Sequence, residues 1–354
     1  MIFGSISERK CELHEQTKTR IKVGVAIFNA NFKCYNETMR MEQMCLNRLF
    51  DGVYVFAGPT NVGVIAIENC GTFEIYFIDT GETAEYAQKI LGECECVFKN
   101  FCVKAIIATH GHADHVGGNS YLVEKTGCQV WATQKEKAII ETPEIPSAIS
   151  AGGFPLPEFH SPYHRAKISF VDRVISGGEK ISLGAGFEAE FVPLPGHYLE
   201  MVGVLIKCPN GKSAFFAGDG IFGREMLGRY WMPFLYDVKQ FKLSLERIGA
   251  TEASLCVPSH GEVYEEIAEL VEFNLLSTIS NEKSLERILQ KPRTWEEVLK
   301  EFADENEIPL RLSQYTLVGS TIRSYLSYLY AEGRIKWRFE NNFMLWYAVQ
   351  DAAD

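Results

Sequence analysis

The chain has 354 residues and a formal net charge of −11, with 46% hydrophobic and 23% charged residues. Length and composition are those of a globular protein with one large domain and a smaller one, which excludes a disordered chain and a disulfide-stapled mini-protein. The acidic balance also disfavours broad binding to nucleic acid or to an anionic membrane, since both require clustered Lys and Arg.

The N-terminal residues 1–46 are predicted to form an extension, in which an apolar run at 21–28 can add a strand. Charged residues stand where a signal peptide would need its apolar core, and no stretch approaches the ~18 apolar residues of a membrane span. The ten cysteines are scattered without repeated spacing, which is typical of free thiols in a reducing compartment. We therefore expect a cytoplasmic protein without membrane contact.

Residues 47–272 have the pattern of one mixed α and β domain. Short runs rich in β-branched and aromatic residues predict strands, and longer mixed runs predict helices. The first block contains strands at 52–56, 62–67, 73–78, 104–108 and 129–132, and helices at 82–91, 121–126 and 134–140. The second block contains strands at 188–192, 202–206, 213–217 and 254–257. Two such blocks predict two sheets packed face to face with helices outside.

Between the two blocks, residues 142–165 are rich in Pro, Gly and aromatic residues and show no periodicity. A long segment without regular structure in a compact domain is often a functional lid, which is our prediction for this segment.

Residues 273–354 are predicted to be mainly helical. Thr294 and Glu297 form a capping box at a helix start, 320–331 predicts a second helix, and 333–347 predicts a hairpin. Helices followed by such a hairpin resemble a winged-helix module. Residues 282–354 carry a net charge of −2, so we expect packing, pocket shaping or dimerisation rather than DNA binding.

The densest group of chemically active side chains follows the strand at 104–108. His110, His112, Asp114 and His115 lie within six residues, on a turn from a strand to a helix. Such a turn can direct ring nitrogens and a carboxylate into one small volume. A borderline-soft divalent ion such as zinc prefers these N and O ligands.

Three later turns each carry one more residue of a metal-ligand type directly after a predicted strand. These residues are His197, Asp219 and His260. Together with the first group they supply five of the eight histidines and two aspartates, which are enough ligands for two metal sites.

The motif His-x-His-x-Asp-His, followed in order by these three residues, resembles that of the metallo-β-lactamase superfamily, in particular its glyoxalase II-like or lactamase-like branch, over residues 47–272. The resemblance implies an α+β fold, a four-layer αβ/βα sandwich, and two divalent ions, with Zn²⁺ as first choice and Fe or Mn as alternatives. Carried over by position, it implies one metal held by His110, His112 and His197, a second held by Asp114, His115 and His260, and Asp219 as the bridge.

Two such ions roughly 3.5–4 Å apart share a water, lower its pKa towards ~7 and polarise a scissile carbonyl or phosphoryl oxygen. Asp114 is the predicted catalytic residue, because it would ligate one ion and orient the bridging hydroxide. Asp79, at the end of the strand at 73–78, is predicted to fix a ligand imidazole from behind, with a turn or helix-cap role as the alternative.

The sequence departs from the family pattern after His197, where many members continue with Thr-x-Gly and this chain has Tyr198. Tyr198 is a candidate hydrogen-bond donor to the substrate. His164 in the lid and Tyr230 in an aromatic run after Asp219 are further candidates for substrate contact. Ordinary packing or solvent exposure is the alternative for each of the three.

The predicted function is hydrolysis of a small ester or thioester, lactones included, and the small-molecule substrate can be anionic. Two alternatives remain open: a phosphodiesterase or endoribonuclease of the same superfamily, and a mononuclear iron enzyme similar to the persulfide dioxygenases. A homo-oligomer is compatible with the sequence.

Overall fold

The computed structural model describes residues 45–160, 164–229 and 232–349. The run at 21–28, predicted as a strand, and Tyr230, predicted to contact substrate, lie outside these described residues. Within them, no helix combines the length and the apolar character that crossing a membrane requires.

A seven-stranded sheet forms the first half of the fold, and its strands follow one another in chain order. The strands are Leu46–Phe50 (β1), Val53–Phe56 (β2), Val62–Asn69 (β3), Thr72–Ile78 (β4), Phe101–Ile107 (β5), Gln129–Ala132 (β6) and Arg173–Val174 (β7). Strands β1 to β4 pair antiparallel, and β4 to β7 pair parallel. The carboxyl ends of β4 and β5 therefore lie side by side, which brings together the turns that follow them.

A five-stranded sheet forms the second half. Its strands are Lys180–Gly184 (β8), Phe187–Pro193 (β9), Val202–Lys207 (β10), Ser213–Gly218 (β11) and Leu255–Pro258 (β12). The order is β12-β11-β10-β9-β8, and only β11 and β12 are parallel. The turns that follow β11 and β12 therefore also lie at one end of their sheet.

Helices flank both sheets. They are Ala84–Val97 (α1), Ala113–Val116 (α2), Asn119–Thr126 (α3), Gln134–Glu141 (α4), Ile145–Ala151 (α5), Arg224–Arg229 (α6), Val238–Gly249 (α7), Ile267–Ile288 (α8), Trp295–Glu305 (α9) and Leu312–Ala331 (α10). The predicted capping box of α9 is confirmed. Helix α10 begins eight residues before the predicted helix at 320–331.

Three separate sets of buried apolar side chains define four layers. One set, which includes Ile65 and Phe216, lies between the two sheets. A second, with Phe77 and Ile90, lies between the first sheet and its outer helices, and a third packs α7 and α8 on the second sheet. Since each fully buried large apolar side chain contributes about 1.5–3 kcal/mol, these interfaces hold the layers together. The predicted four-layer αβ/βα sandwich is confirmed.

The C-terminal helices share a core with the second sheet. Phe302 of α9 and Tyr325 of α10 belong to the same buried set as Phe215 of β11. Helix α8 runs through residues 272 and 273, where the sequence analysis divides the chain. The predicted hairpin is present as Ile335–Glu340 (β13) and Phe343–Ala348 (β14), while the winged-helix resemblance and the domain division stay predictions.

The segment 142–165, predicted to be a lid, has more regular structure than expected among its described residues. It contains helix α5 and a 3₁₀ turn at Pro157–His160. Pro146 stands in the first turn of α5, where its missing N–H is harmless, and Gly152 ends the helix with a φ of 70°. The expectation of no regular structure was wrong, because a seven-residue helix is too short to show an apolar period.

Candidate metal centre

The seven ligand-type residues predicted from the sequence meet at the carboxyl ends of four strands. Four of them follow β5, and His197, Asp219 and His260 follow β9, β11 and β12. The two sheets are joined here, because the N–H of Val202 donates to the carbonyl oxygen of Thr109 at 3.1 Å.

The side chains form three overlapping groups, and the candidate ligand atoms of each group lie within 4.8 Å of one another. The groups are His110, His112 and His197; His110, His115 and Asp219; and Asp114, His115 and His260. The first and third match the two trios implied by the family resemblance.

The three-histidine group directs ring nitrogens at a common point. His112 Nδ1 lies 3.0 Å from His110 Nε2 and 3.0 Å from His197 Nε2. The Nδ1–H of His197 donates to the carbonyl oxygen of Phe234 at 2.8 Å, which leaves the Nε2 lone pair facing the group. Burial lowers the pKa of His110 and of His197 well below the usual value, and that of His112 to about 4. These imidazoles are therefore neutral, which is the form that binds a metal.

The second trio differs from the first because it contains carboxylate charge. Asp114 Oδ2 lies 3.2 Å from His260 Nε2 and 3.6 Å from His115 Nε2. Burial alone would lower the pKa of His115, but the carboxylates of Asp114, Asp219 and Asp79 outweigh it and raise that pKa to about 10. The surroundings of His115 therefore favour a positive charge.

Asp219 contacts both halves of the centre. Its Oδ2 lies 3.3 Å from His197 Nε2, and its Oδ1 lies 3.4 Å from His115 Nε2. Among the described residues, His115 Nε2 and Asp219 Oδ1 are buried without a hydrogen-bond partner. A buried polar atom without a partner costs about 1–3 kcal/mol, so the donor set fits a cation that both atoms could ligate.

Asp79 lies behind His115, away from the centre. Its carboxylate is 1% exposed and accepts hydrogen bonds from His115 Nδ1, from the N–H of Thr109 and from the Thr109 hydroxyl, each at 2.8 Å. Residue 79 has a φ of 61°, which Asp tolerates better than most residues. The N-cap of α1 is Thr83, so the alternative of a helix-capping Asp79 was wrong.

Sequence reasoning missed Asn61, which fixes the His260 loop. Its Nδ2 donates to the carbonyl oxygens of Pro258 at 2.9 Å and Gly261 at 2.8 Å. The Nδ1–H of His260 in turn donates to the carbonyl oxygen of Pro59 at 2.7 Å. The turn at 58–61 is visible in the sequence as a break between strands, but nothing local links it to residue 260.

We expect Asn61→Ala to lower the free energy of unfolding by about 2 kcal/mol, because it removes the partner of the buried Pro258 carbonyl group and of the more exposed Gly261 carbonyl group. Chemical denaturation followed by circular dichroism measures the change. Asn47→Ala is the matched control, since Asn47 is exposed and bonds only locally to Cys45. Equal stability of the two variants would contradict the role given to Asn61.

Tyr198 and His164 are the two candidates for substrate contact that lie within the described residues, and their surroundings differ. The Tyr198 side chain is 1% exposed, and its ring lies 4.2 Å from that of His112. The Tyr198 hydroxyl is buried without a hydrogen-bond partner among the described residues. His164 packs on Phe159 of the lid and lies 3.5 Å from the Ser313 hydroxyl of α10. Substrate contact stays a prediction for both.

Comparison with known proteins identifies relatives of this chain. An uncharacterized protein of Aquifex aeolicus is 32% identical over 195 residues, which are 54% of this chain and 79% of that one. A hydroxyacylglutathione hydrolase of Erythrobacter litoralis is 30% identical over 181 residues, 49% of this chain and 52% of the relative. A hydrolase of the same name from Polaromonas is 27% identical over 124 residues, 35% of this chain and 36% of the relative. The chain thus spans about half or less of the named hydrolases.

Solved structures show the same fold at low sequence identity. A β-lactamase domain protein from Burkholderia ambifaria matches with a TM-score of 0.69 and 15% identity, covering 86% of this chain and 93% of that one. A metallo-β-lactamase family protein from Thermus thermophilus matches with a TM-score of 0.65 and 18% identity, covering 85% and 100%. The family model described as the metallo-β-lactamase superfamily matches residues 56–260, more than half of the chain. The chain therefore belongs to the metallo-β-lactamase superfamily.

Proposed function

We propose that the chain is a hydrolase that holds two divalent metal ions, Zn²⁺ in the first place, and cleaves a small ester or thioester. The observation that carries this proposal is the position of Asp219, which lies 3.3–3.5 Å from imidazole nitrogens of both ligand trios. One carboxylate shared by two groups of ligands is suited to two ions held side by side. His110, His112 and His197 would hold one ion, and Asp114, His115 and His260 the other.

When bound, the metal ions would lower the pKa of a water and polarise the scissile carbonyl. Asp114 is the carboxylate that an incoming substrate and water can reach, because its side chain is 37% exposed, against 6% for Asp219. It accepts a hydrogen bond from the attacking water and so orients it. Phe222 and Phe234 lie 5.8 and 5.7 Å from the His197 ring and exclude solvent on that side.

The pairing of cationic side chains supports a small substrate over RNA. In the C-terminal helices, Arg287 bonds to Glu305 at 2.8 Å, and Arg323 stacks on the Trp295 ring at 3.5 Å. Arg334, before β13, bonds to Glu286 at 2.7 Å. Arginines that are paired with carboxylates or stacked on a ring in this way do not form the continuous positive surface that a nucleic-acid backbone requires. The relatives named hydroxyacylglutathione hydrolases support a thioester.

The test is to purify the full chain without added metal, measure its metal content, and assay thioesters, lactones, phosphodiesters and single-stranded RNA. We expect two zinc ions per chain and turnover of esters or thioesters that a chelator abolishes and zinc restores. One iron per chain without hydrolysis would instead support the mononuclear iron alternative. RNA cleavage that weakens steeply with salt would support the nuclease.

A further inference from the structure

Glu136, on helix α4, is a buried carboxylate outside the ligand set that contacts both loops of the three-histidine group. Its side chain is 0% exposed. One oxygen, Oε2, accepts a hydrogen bond from the N–H of Gly111 at 2.9 Å, and the other, Oε1, accepts one from the N–H of Glu200 at 2.9 Å.

The positions of the two N–H donors show which segments of the chain Glu136 connects. Gly111 stands between His110 and His112, and Glu200 lies three residues after His197. These segments follow different strands in different sheets, β5 and β9. A single carboxylate therefore ties together the two backbone segments that carry the three imidazoles.

Further contacts hold the start of α4 against the same segments. The Thr133 hydroxyl donates to the carbonyl oxygen of Glu200 at 2.9 Å, and the N–H of Lys135 donates to the Glu200 carboxylate at 2.8 Å. A Cβ added at Gly111 would lie 2.5 Å from Ile139 Cγ2. This close packing leaves the His110–His112 segment little freedom to move relative to α4.

Burying a carboxylate costs free energy. The stability of the fold alone therefore does not explain why position 136 carries one. Burial raises the pKa of Glu136 to about 7, although the two backbone N–H groups favour the ionised form. Well-packed apolar residues often replace buried charges at no loss of stability. What an apolar residue could not do is accept both N–H groups and thereby fix the distance between the two segments.

We propose that Glu136 is a positioning residue that sets the spacing of His110 and His112 relative to His197, and with it the metal affinity of the three-histidine group. This inference rests on the metal centre of the proposed function. It concerns affinity for the ion, which can be measured without any substrate.

The test is a zinc titration of the metal-stripped full chain against a chromophoric chelator, comparing the native protein with Glu136→Gln. Glutamine keeps the volume of the side chain. Its amide oxygen can accept a hydrogen bond from only one of the two backbone N–H groups, Gly111 or Glu200, and its NH₂ group then faces the other N–H. We expect one of the two zinc ions to bind about tenfold more weakly and the other to bind as before. Tenfold is the lower end of the loss in metal affinity that follows removal of a residue that positions metal ligands.

Glu141→Gln is the matched control. Glu141 lies on the same helix and also accepts a hydrogen bond from a backbone N–H, that of Val171 at 2.9 Å. Val171, however, lies outside the segments that carry the metal ligands. We expect this variant to lose some stability and to keep both zinc affinities. Equal weakening in both variants would show a general effect of α4 and overturn the proposal.

The outcomes separate the two proposals. If the native chain binds two zinc ions and Glu136→Gln binds them with the same affinities, the role of Glu136 is wrong and the metal centre stands. If the native chain binds no zinc, the metal centre is wrong and this inference fails with it. Should Glu136→Gln not fold, Glu136→Asp replaces it, because a side chain one methylene shorter can reach at most one of the two N–H groups.

Discussion

Asp219→Asn is expected to lower hydrolysis about 10³-fold without unfolding the protein. Stabilisation of the transition state by bound metal amounts to several kcal/mol, and each 1.4 kcal/mol is a factor of ten in rate. Asparagine keeps the shape of Asp219 but removes the charge that lies 3.3 Å from His197 Nε2 and 3.4 Å from His115 Nε2. The measurement is kcat on the best substrate of the panel, together with zinc per chain.

Asp172→Asn is the control for this prediction. Asp172 is exposed and accepts the N–H of Val130 at 2.8 Å, so it tests the loss of a carboxylate that accepts a backbone hydrogen bond away from the centre. We expect native activity and native zinc content from this variant. An Asp219→Asn protein that retained two zinc ions and more than a tenth of the activity would contradict the bridging role.

The ligand set could be predicted from the sequence because each ligand follows a strand with a clear signature. His110 comes three residues after the apolar end of β5, and Asp219 comes directly after the fully buried β11. Residue type and position after a predicted strand were enough to collect the seven candidates, and the resemblance to the superfamily motif divided them between two metal ions. Neither step required knowledge of any long-range contact.

The supporting residues could not be predicted in the same way. Glu136 and Asn61 act on backbone atoms, and backbone N–H and C=O groups are identical at every position of the sequence. The Asn61 side chain accepts from one neighbour, Gly58, but its strongest contacts are 197 and 200 residues away. Only the fold shows which buried polar side chain meets which backbone segment.

Secondary structure was missed where the local signal was short or mixed. Strand β7 has two residues, too few for any alternation. The first two turns of α10 carry Leu312, Tyr315 and Leu317, which are partly exposed and do not form a continuous apolar stripe. Packing of these turns against the lid and α9 decides their conformation, and such packing is a property of the assembled core.

Asp79→Asn is expected to weaken zinc binding 10–100-fold, the range found when support behind a metal-bound histidine is removed. The Asp79 carboxylate accepts a hydrogen bond from the Nδ1–H of His115 at 2.8 Å, so Nε2 of that ring is left to face the centre. With its amide oxygen on the N–H of Thr109, asparagine would present NH₂ to His115 Nδ1. The imidazole would then carry its proton on Nε2, which is the tautomer that cannot bind a metal at that atom.

The ring protonation can be measured directly, by long-range ¹H–¹⁵N NMR of the histidine rings in the zinc-loaded protein, where a metal on Nε2 of His115 leaves only Nδ1 to carry a proton, alongside the zinc titration. Thr109→Ser is the control, because serine keeps the hydroxyl that donates to Asp79 at 2.8 Å and removes only a methyl group. If Asp79→Asn left the His115 tautomer and both zinc affinities unchanged, Asp79 would contribute packing alone. If it changed the tautomer and weakened one ion, the buried carboxylate behind His115 would be part of the metal centre, although it ligates nothing itself.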